Sequence, residues 1–366
     1  MIRLGKKLHI KEFTLNKEKS FIESINMAIS LAMEKDQEMV CYGLGATDPK
    51  GVFGSTLGLE DKFGSKRVFD MPTSENAMTG ISIGLALNGI RSVVTHQRLD
   101  FFLLAMDQLV NGAAKYHYMY GSQLSVPITI RLILGRGWGQ GPTHSQNLQS
   151  WFAHIPGLKV VMPTFAQDAK RLLLTSIFDP NPVLFLEHRW LHNTLGSVNN
   201  NFETMPLGKA KKISSGKDIT IISMSYMTIE AITALKILKD NFNIKAELID
   251  LKTIKPLDFQ AISSSVKKTG SLLVLDTGFE FCSVASEIIA TITTKYFKYL
   301  KRAPVRIAMP DVPEPTSPWL TKGFHANADK IVIETLKVLG VKNKKKKFLK
   351  EVSPHDVPGE WFKGPF

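Results

Sequence analysis

Cysteine is scarce in this chain of 366 residues, with Cys41 and Cys282 the only two. Two thiols so distant in sequence exclude a disulfide framework and a cysteine-rich metal cluster, and they suit a reducing compartment. Cys41 sits in the apolar run Met39–Gly43 and is expected in the core. Long apolar runs are missing too: no stretch of about 18 apolar residues occurs, which excludes a membrane-spanning helix. The segment Met1–Lys11 is basic but lacks the apolar centre of an export signal, so a cytoplasmic location is expected. Acidic residues are in deficit, 33 against 46 Lys and Arg, giving a formal net charge of +13. The excess is scattered apart from Lys344–Lys347, and no zinc-finger, RNA-binding or recognition-helix pattern accompanies it. It therefore reads as a solvated surface or a face for an acidic partner, not as a nucleic-acid site. The glycine-rich run Gly135–Gly141 matches neither a Walker loop nor a dinucleotide fingerprint.

What is present belongs to an ordinary globular protein, 44% hydrophobic and 22% charged, and long enough for two cores. Apolar β-rich runs alternate with amphipathic stretches, the mark of α/β architecture with parallel sheets covered on both faces. Strands are expected at Arg91–Thr95, Ile128–Leu134, Lys159–Met162 and Val183–Leu186, with helices at Ser74–Leu87, Phe101–Met119, Gln146–Phe152 and Ala166–Phe178. From His192 to Lys209 the chain turns polar and irregular, around Asn199–Asn201 and Pro206, and is the best linker. A second set follows: strands Ile219–Ser223, Ala246–Asp250, Leu272–Leu275 and Val305–Ala308, and helices Thr228–Asp240, Phe259–Lys267 and Phe281–Lys298. The expected domains are 1–195 and 210–340. Residues 341–366 form a basic, aromatic tail, with Pro354, Pro358, Trp361 and Phe366, that docks on a partner chain or on its own second domain.

Ser74 and Glu75 mark a helix start. A serine hydroxyl there can cap the first free amides, and the carboxylate falls in the positive first turn. Gly80 and Gly84, one turn apart, let a backbone or a flat ligand come close.

The stretch Val68–Glu75, followed by Gly80–Arg91, resembles the pyrimidine-binding domain of transketolase-like enzymes, and within them the beta subunit of the thiamine-diphosphate-dependent 2-oxoacid dehydrogenases of pyruvate and branched-chain type. The resemblance continues through Phe101 and Ala105–Met119, through Thr143–Gln146 with Trp151 and Ile155–Val161, and through Asp179–Glu187. Asp250–Asp258 and Val266–Gly270 are similar to the family's carboxy-terminal domain, so it covers roughly residues 20 to 340. The resemblance implies a thiamine-diphosphate pyrimidine-binding domain followed by a transketolase-like C-terminal domain.

It also implies roles. Glu75 matches the glutamate that shares a proton with the pyrimidine nitrogen of the cofactor. Phe101 matches the aromatic stacked on that ring. His144 matches the loop histidine that donates to an anionic substrate or moves protons. Ile128, Ser176, Ile177, Asp179 and Asn181 match a structural K⁺ site built mostly from backbone oxygens. The family's Gly-Asp-Gly and Asn-Asn elements, which grip the diphosphate and Mg²⁺, have no counterpart here, since Asn199–Asn201 lies in the linker with no Gly-Asp-Gly before it. The chain then supplies half of a shared active site. An alpha-type subunit with the diphosphate-binding domain completes it in a heterotetramer, and a lipoyl acyltransferase is a further possible partner.

The chain departs from the family where Thr95–Asp100 replaces an acidic and aromatic stretch, where Arg136 and Trp138 enter a loop of small residues, after Gly45, and at Asp276–Phe281. His96, Arg98 and Arg136 are expected to add positive charge at the cofactor mouth, suiting a substrate more anionic or hydroxyl-rich than pyruvate. That favours the alternative of a transketolase-like carboligase or synthase subunit in sugar-like biosynthesis. The remaining alternative is a non-catalytic regulatory subunit, against which Glu75, Phe101 and His144 argue.

Overall fold

The computed structural model describes residues 17–137, 139–345, 347–350, 359, 361, 362 and 364. Trp138, Pro354, Pro358, Phe366 and the basic segment 1–11, all singled out by sequence, lie outside the described residues. Among those described, no helix is long and apolar enough to cross a membrane.

The described residues open with β1 (Lys17–Ser20), which runs into the helix Phe21–Lys35. Ser20 and Glu23 form a complete capping box there, the serine hydroxyl taking the Glu23 amide and the glutamate taking the Ser20 amide. The first sheet follows, from β2 (Val40–Gly43), β3 (Val68–Asp70), β4 (Ser92–His96), β5 (Ile128–Leu134), β6 (Lys159–Val161) and β7 (Val183–His188). All six are parallel, in the order β6-β7-β5-β4-β2-β3. β4, β5 and β7 are buried along their whole length, as expected for strands covered on both faces. Cys41 is at the core, fully buried on β2.

The expected linker is not free. Its β8 (Leu195–Val198) pairs antiparallel with β1, and the Asn199 and Asn201 carbonyls with the Asn199 side chain hold the ammonium of Lys170 at 2.6–2.9 Å. The second sheet contains β9 (Lys211–Ser214), β10 (Ile219–Ser223), β11 (Ala246–Asp250), β13 (Leu272–Phe279) and β14 (Val305–Met309), in the order β14-β13-β10-β11-β9, with only β9 antiparallel. Between β11 and β13 the chain crosses back: β12 (Thr253–Lys255) adds antiparallel to β6 at the edge of the first sheet.

The helix expected over Phe101–Met119 is interrupted. It runs as an α-turn at Leu99–Phe102, a tighter turn at Leu103–Ala105, a wide π segment at Gln108–Ala113 and a last α piece at Ala114–Met119. Gly112 lies in the π segment, where an added Cβ would come within 2.9 Å of Ile83 in the helix Glu75–Leu87. The wide turn lies against the helix Glu75–Leu87.

Candidate active site

Glu75, Phe101 and His144 leave the same edge of the first sheet. Each lies on the connection following a parallel strand: Glu75 after β3, Phe101 after β4 and His144 after β5. In an open parallel sheet the carboxyl edge is where the crossover loops part and ligands bind.

Glu75 opens the helix Glu75–Leu87. Its side chain is buried, only 5% exposed, yet no described residue donates a hydrogen bond or ion pair to the carboxylate. The expected Ser74 cap is not made. At ψ 84° the Ser74 backbone differs from that of Ser20, whose ψ of 161° does direct a hydroxyl onto its first turn. Among the described residues the amide end of the helix has no side-chain cap, and the acid beside it keeps its carboxylate oxygens unpaired. Gly84 faces open space, with no heavy atom within 4 Å of an added Cβ, whereas Gly80 is approached by Gln108.

Phe101 leaves 37% of its surface exposed. Its ring meets His144 edge to face, with centroids 5.2 Å apart and planes at 87°. The Thr143 hydroxyl lies 3.1 Å from Nδ1 of His144. Where that hydroxyl donates to Nδ1, the imidazole proton sits on Nε2 and is available to an anion.

The loop carrying His144 is held by polar contacts from the Phe101 side. Asp100 accepts the Gln146 amide at 3.2 Å and its side-chain N–H at 3.0 Å on one oxygen, and Nε of Arg98 at 3.0 Å on the other. Arg98 also donates to Oε1 of Gln140 at 2.7 Å and to the Gly135 carbonyl. Burial pulls the Arg98 guanidinium below its ordinary value, and Asp100 opposes the shift. At Gly135 φ is +84°, and a Cβ would lie 2.4 Å from Nε2 of His188, so the loop leaves the sheet through a position only glycine fits.

The expected cluster of positive charge does not form. His96 is 1% exposed with neither ring nitrogen bonded, and burial pushes its pKa down to about 3. It is a neutral ring packed edge-on to Phe102 at 4.8 Å. Arg136 is buried, donating to the Pro315 and Thr316 carbonyls at 3.1 and 3.0 Å, with Glu314 at 3.9 Å, which fastens the loop to the second domain. Arg98 is turned inward as described. Composition and spacing show charges but not their partners: Asp100 and Gln140 claim Arg98, and Pro315, Thr316 and Glu314 claim Arg136.

Ile128, Ser176, Ile177, Asp179 and Asn181 gather near the opposite, amino edge, where β5 starts and β7 is approached. The Asp179 carboxylate is taken by Lys159 at 2.6–2.7 Å and by the Asn181 amide at 2.9 Å, while the Ser176 hydroxyl turns back to the Leu172 carbonyl. Only carbonyl oxygens are left there for a cation. Among the described residues, no group of three or more His, Cys, Asp or Glu could hold a metal.

The family model described as "Transketolase, pyrimidine binding domain" matches residues 17–193, and "Transketolase, C-terminal domain" matches residues 208–331. The chain is 40% identical over 294 residues to "Pyruvate dehydrogenase E1 component subunit beta" of Rickettsia bellii, covering 80% of this chain and 90% of that protein. It is 37% identical over 333 residues to "Acetoin:2,6-dichlorophenolindophenol oxidoreductase subunit beta" of Bacillus subtilis, covering 88% and 97%. Among solved structures, "Split gene transketolase, inactive beta4 tetramer" has a TM-score of 0.72 at 19% identity and covers 88% of this chain and 99% of that one, a likeness of fold.

Proposed function

Because the chain belongs to the transketolase family, in the branch of the E1 beta subunits, we propose that it is the beta-type subunit of a thiamine-diphosphate-dependent 2-oxo acid decarboxylating dehydrogenase, with Glu75, Phe101 and His144 as its share of the active site. The observation that carries the site assignment is the Glu75 carboxylate, buried at the carboxyl edge of the sheet without a partner among the described residues. That setting fits the cofactor's pyrimidine end, which brings a ring nitrogen able to share the acid's proton. Phe101, with part of its ring exposed, fits the stacking role.

The fit stops at the diphosphate. The chain has no Gly-Asp-Gly, so an alpha-type subunit carries Mg²⁺ and the phosphates, and the working form is a heterotetramer. The exposed stripe Ala77, Ile81, Gly84 and Leu87 on the Glu75 helix offers a close-packing face for such an assembly. On this reading residues 1–195 and 210–340 are the two domains and 341–366 the tail. A K⁺ ion at Ile128, Ser176, Ile177, Asp179 and Asn181 would be bound through carbonyls, and a lipoyl acyltransferase is the proposed acceptor of the acyl group.

When bound, thiamine diphosphate supplies a carbon nucleophile and an electron sink for decarboxylation. The chain's own residues then have defined tasks. Glu75 holds a proton at the pyrimidine nitrogen, Phe101 fixes the ring plane, and His144 donates from Nε2 to the anionic substrate. The carboligase alternative loses its main support, because Arg98 and Arg136 are bound within the chain.

The test is co-purification with the native partner, followed by activity with 2-oxo acids in the wild type and in Glu75→Gln. A stoichiometric companion carrying Gly-Asp-Gly, bound cofactor, and loss of activity by about a thousandfold or more in the variant are expected. A chain isolated alone and cofactor-free would overturn the proposal.

A further inference from the structure

We propose that Asp100, acting with Arg98, is a positioning residue that sets His144 against Phe101; this rests on the functional reading above. The bracket is compact. Asp100 is the residue before Phe101, and Gln146 lies two residues after His144. One Asp100 oxygen accepts both the backbone and the side-chain N–H of Gln146, and the other accepts Arg98. Arg98 in turn holds the start of the same loop at the Gly135 carbonyl and its middle through Gln140, whose Oε1 also accepts the Gly137 amide at 2.8 Å. The loop from Gly135 to Gln146 is thus fixed at its beginning, middle and end to one ion pair, and that pair sits on the backbone turn that presents Phe101.

Both members are buried, Arg98 at 7% and Asp100 at 8% exposure. An ion pair so placed cannot exchange its partners for water, so removing either charge leaves the other uncompensated and frees the loop. The other bonds of His144 itself are local ones, from its amide to the Gly141 carbonyl at 3.1 Å and between its Nδ1 and the hydroxyl of its neighbour Thr143 at 3.1 Å, and Arg189 adds a longer bond to Gln140 at 3.3 Å.

Asp100→Asn tests it. An amide in place of the carboxylate can still accept from Gln146 but presents N–H toward Arg98, opening the pair while keeping the shape. In the complex with its native partner, kcat/KM for the 2-oxo acid should fall about 30-fold. The loss should be largely absent when the substitution is made in a His144→Ala background, because a misplaced histidine and a missing one cost the same. Hydrogen exchange of the amides of residues 137–146 should rise at least about tenfold, whatever the substrate. Unchanged exchange would overturn the proposal. Losses that multiply independently in the double variant would also overturn it, by leaving Asp100 a structural role only. If the wild-type complex turns over no 2-oxo acid, the functional reading fails, and the exchange measurement still decides the bracket. Arg98→Met opens the same pair from the other side and serves if Asp100→Asn does not fold.

Discussion

The indole N–H of Trp361 donates to Oε1 of Glu230 at 2.6 Å, joining side chains 131 residues apart. Glu230 lies on the helix Tyr226–Phe242, is 3% exposed, and also accepts the Ala328 amide at 2.8 Å. Trp361 is thus tied to a helix within residues 208–331, the stretch that the C-terminal family model matches. The next residue, Phe362, reaches Trp190 of the first domain, with ring centroids 6.4 Å apart.

Trp361→Phe keeps the ring and removes the donor. Burial already pushes the Glu230 carboxyl up, and the indole bond works against that shift. Losing it should cost about 1–3 kcal/mol, read as a lower urea midpoint at pH 7.5. An unchanged midpoint would show that the tail contact contributes nothing.

Arg131 and Glu187 form a two-pronged ion pair between β5 and β7, at 2.5 and 2.9 Å, with both side chains fully buried. Arg131→Met should cost about 3–5 kcal/mol, because it strands a buried carboxylate. Adding Glu187→Leu should recover most of that loss. Denaturant unfolding of the two variants checks this, and a double variant as unstable as the single would refute it.

Asp250 lies between the domains. Its Oδ1 accepts Thr164 and Thr228 at 3.1 Å each, and Oδ2 has no partner. Burial, reinforced by Asp168, pushes its pKa up to about 7 from an ordinary 3.8. Between these values the folded chain holds a proton that the unfolded chain releases. The stabilising contribution of this group is therefore complete below pH 3.8 and is lost as the pH rises toward 7. Relative to Asp250→Asn, the wild type should lose stability on the order of a few kcal/mol from pH 4 to pH 7. A pH-independent difference between the two proteins would rule this out.

Sequence reading went furthest where burial is two-sided. Ile128–Leu134, Ile219–Ser223 and Ala246–Asp250 coincide with β5, β10 and β11 because an apolar run bounded by polar residues has little choice of register. It fell short where short or polar segments take their structure from distant partners. Leu195–Val198 becomes a strand only by pairing with β1, and Thr253–Lys255 only by meeting β6. The helix Phe21–Lys35 was available from its Ser20 and Glu23 capping box. At the site, the residue types of Glu75, Phe101 and His144 were legible, and the last two are found in contact. The surroundings of His96, Arg98 and Arg136 are not legible there, because burial and hydrogen-bond partners depend on the fold and not on spacing.

The crossing of β12 onto β6 carries a consequence for motion. Alongside it, the Met162 amide bonds the Lys252 carbonyl at 2.8 Å, and the Lys255 ammonium bonds the Ala153 and Ile155 carbonyls at 2.7 and 2.9 Å. A jaw-like swing of one lobe against the other would have to tear this seam, so the polar stretch between the lobes is no hinge. The two lobes therefore move as one body, and the Gly135–Gln146 loop, tied to Arg98 and Asp100 on one side and to Pro315 and Thr316 on the other, moves with them.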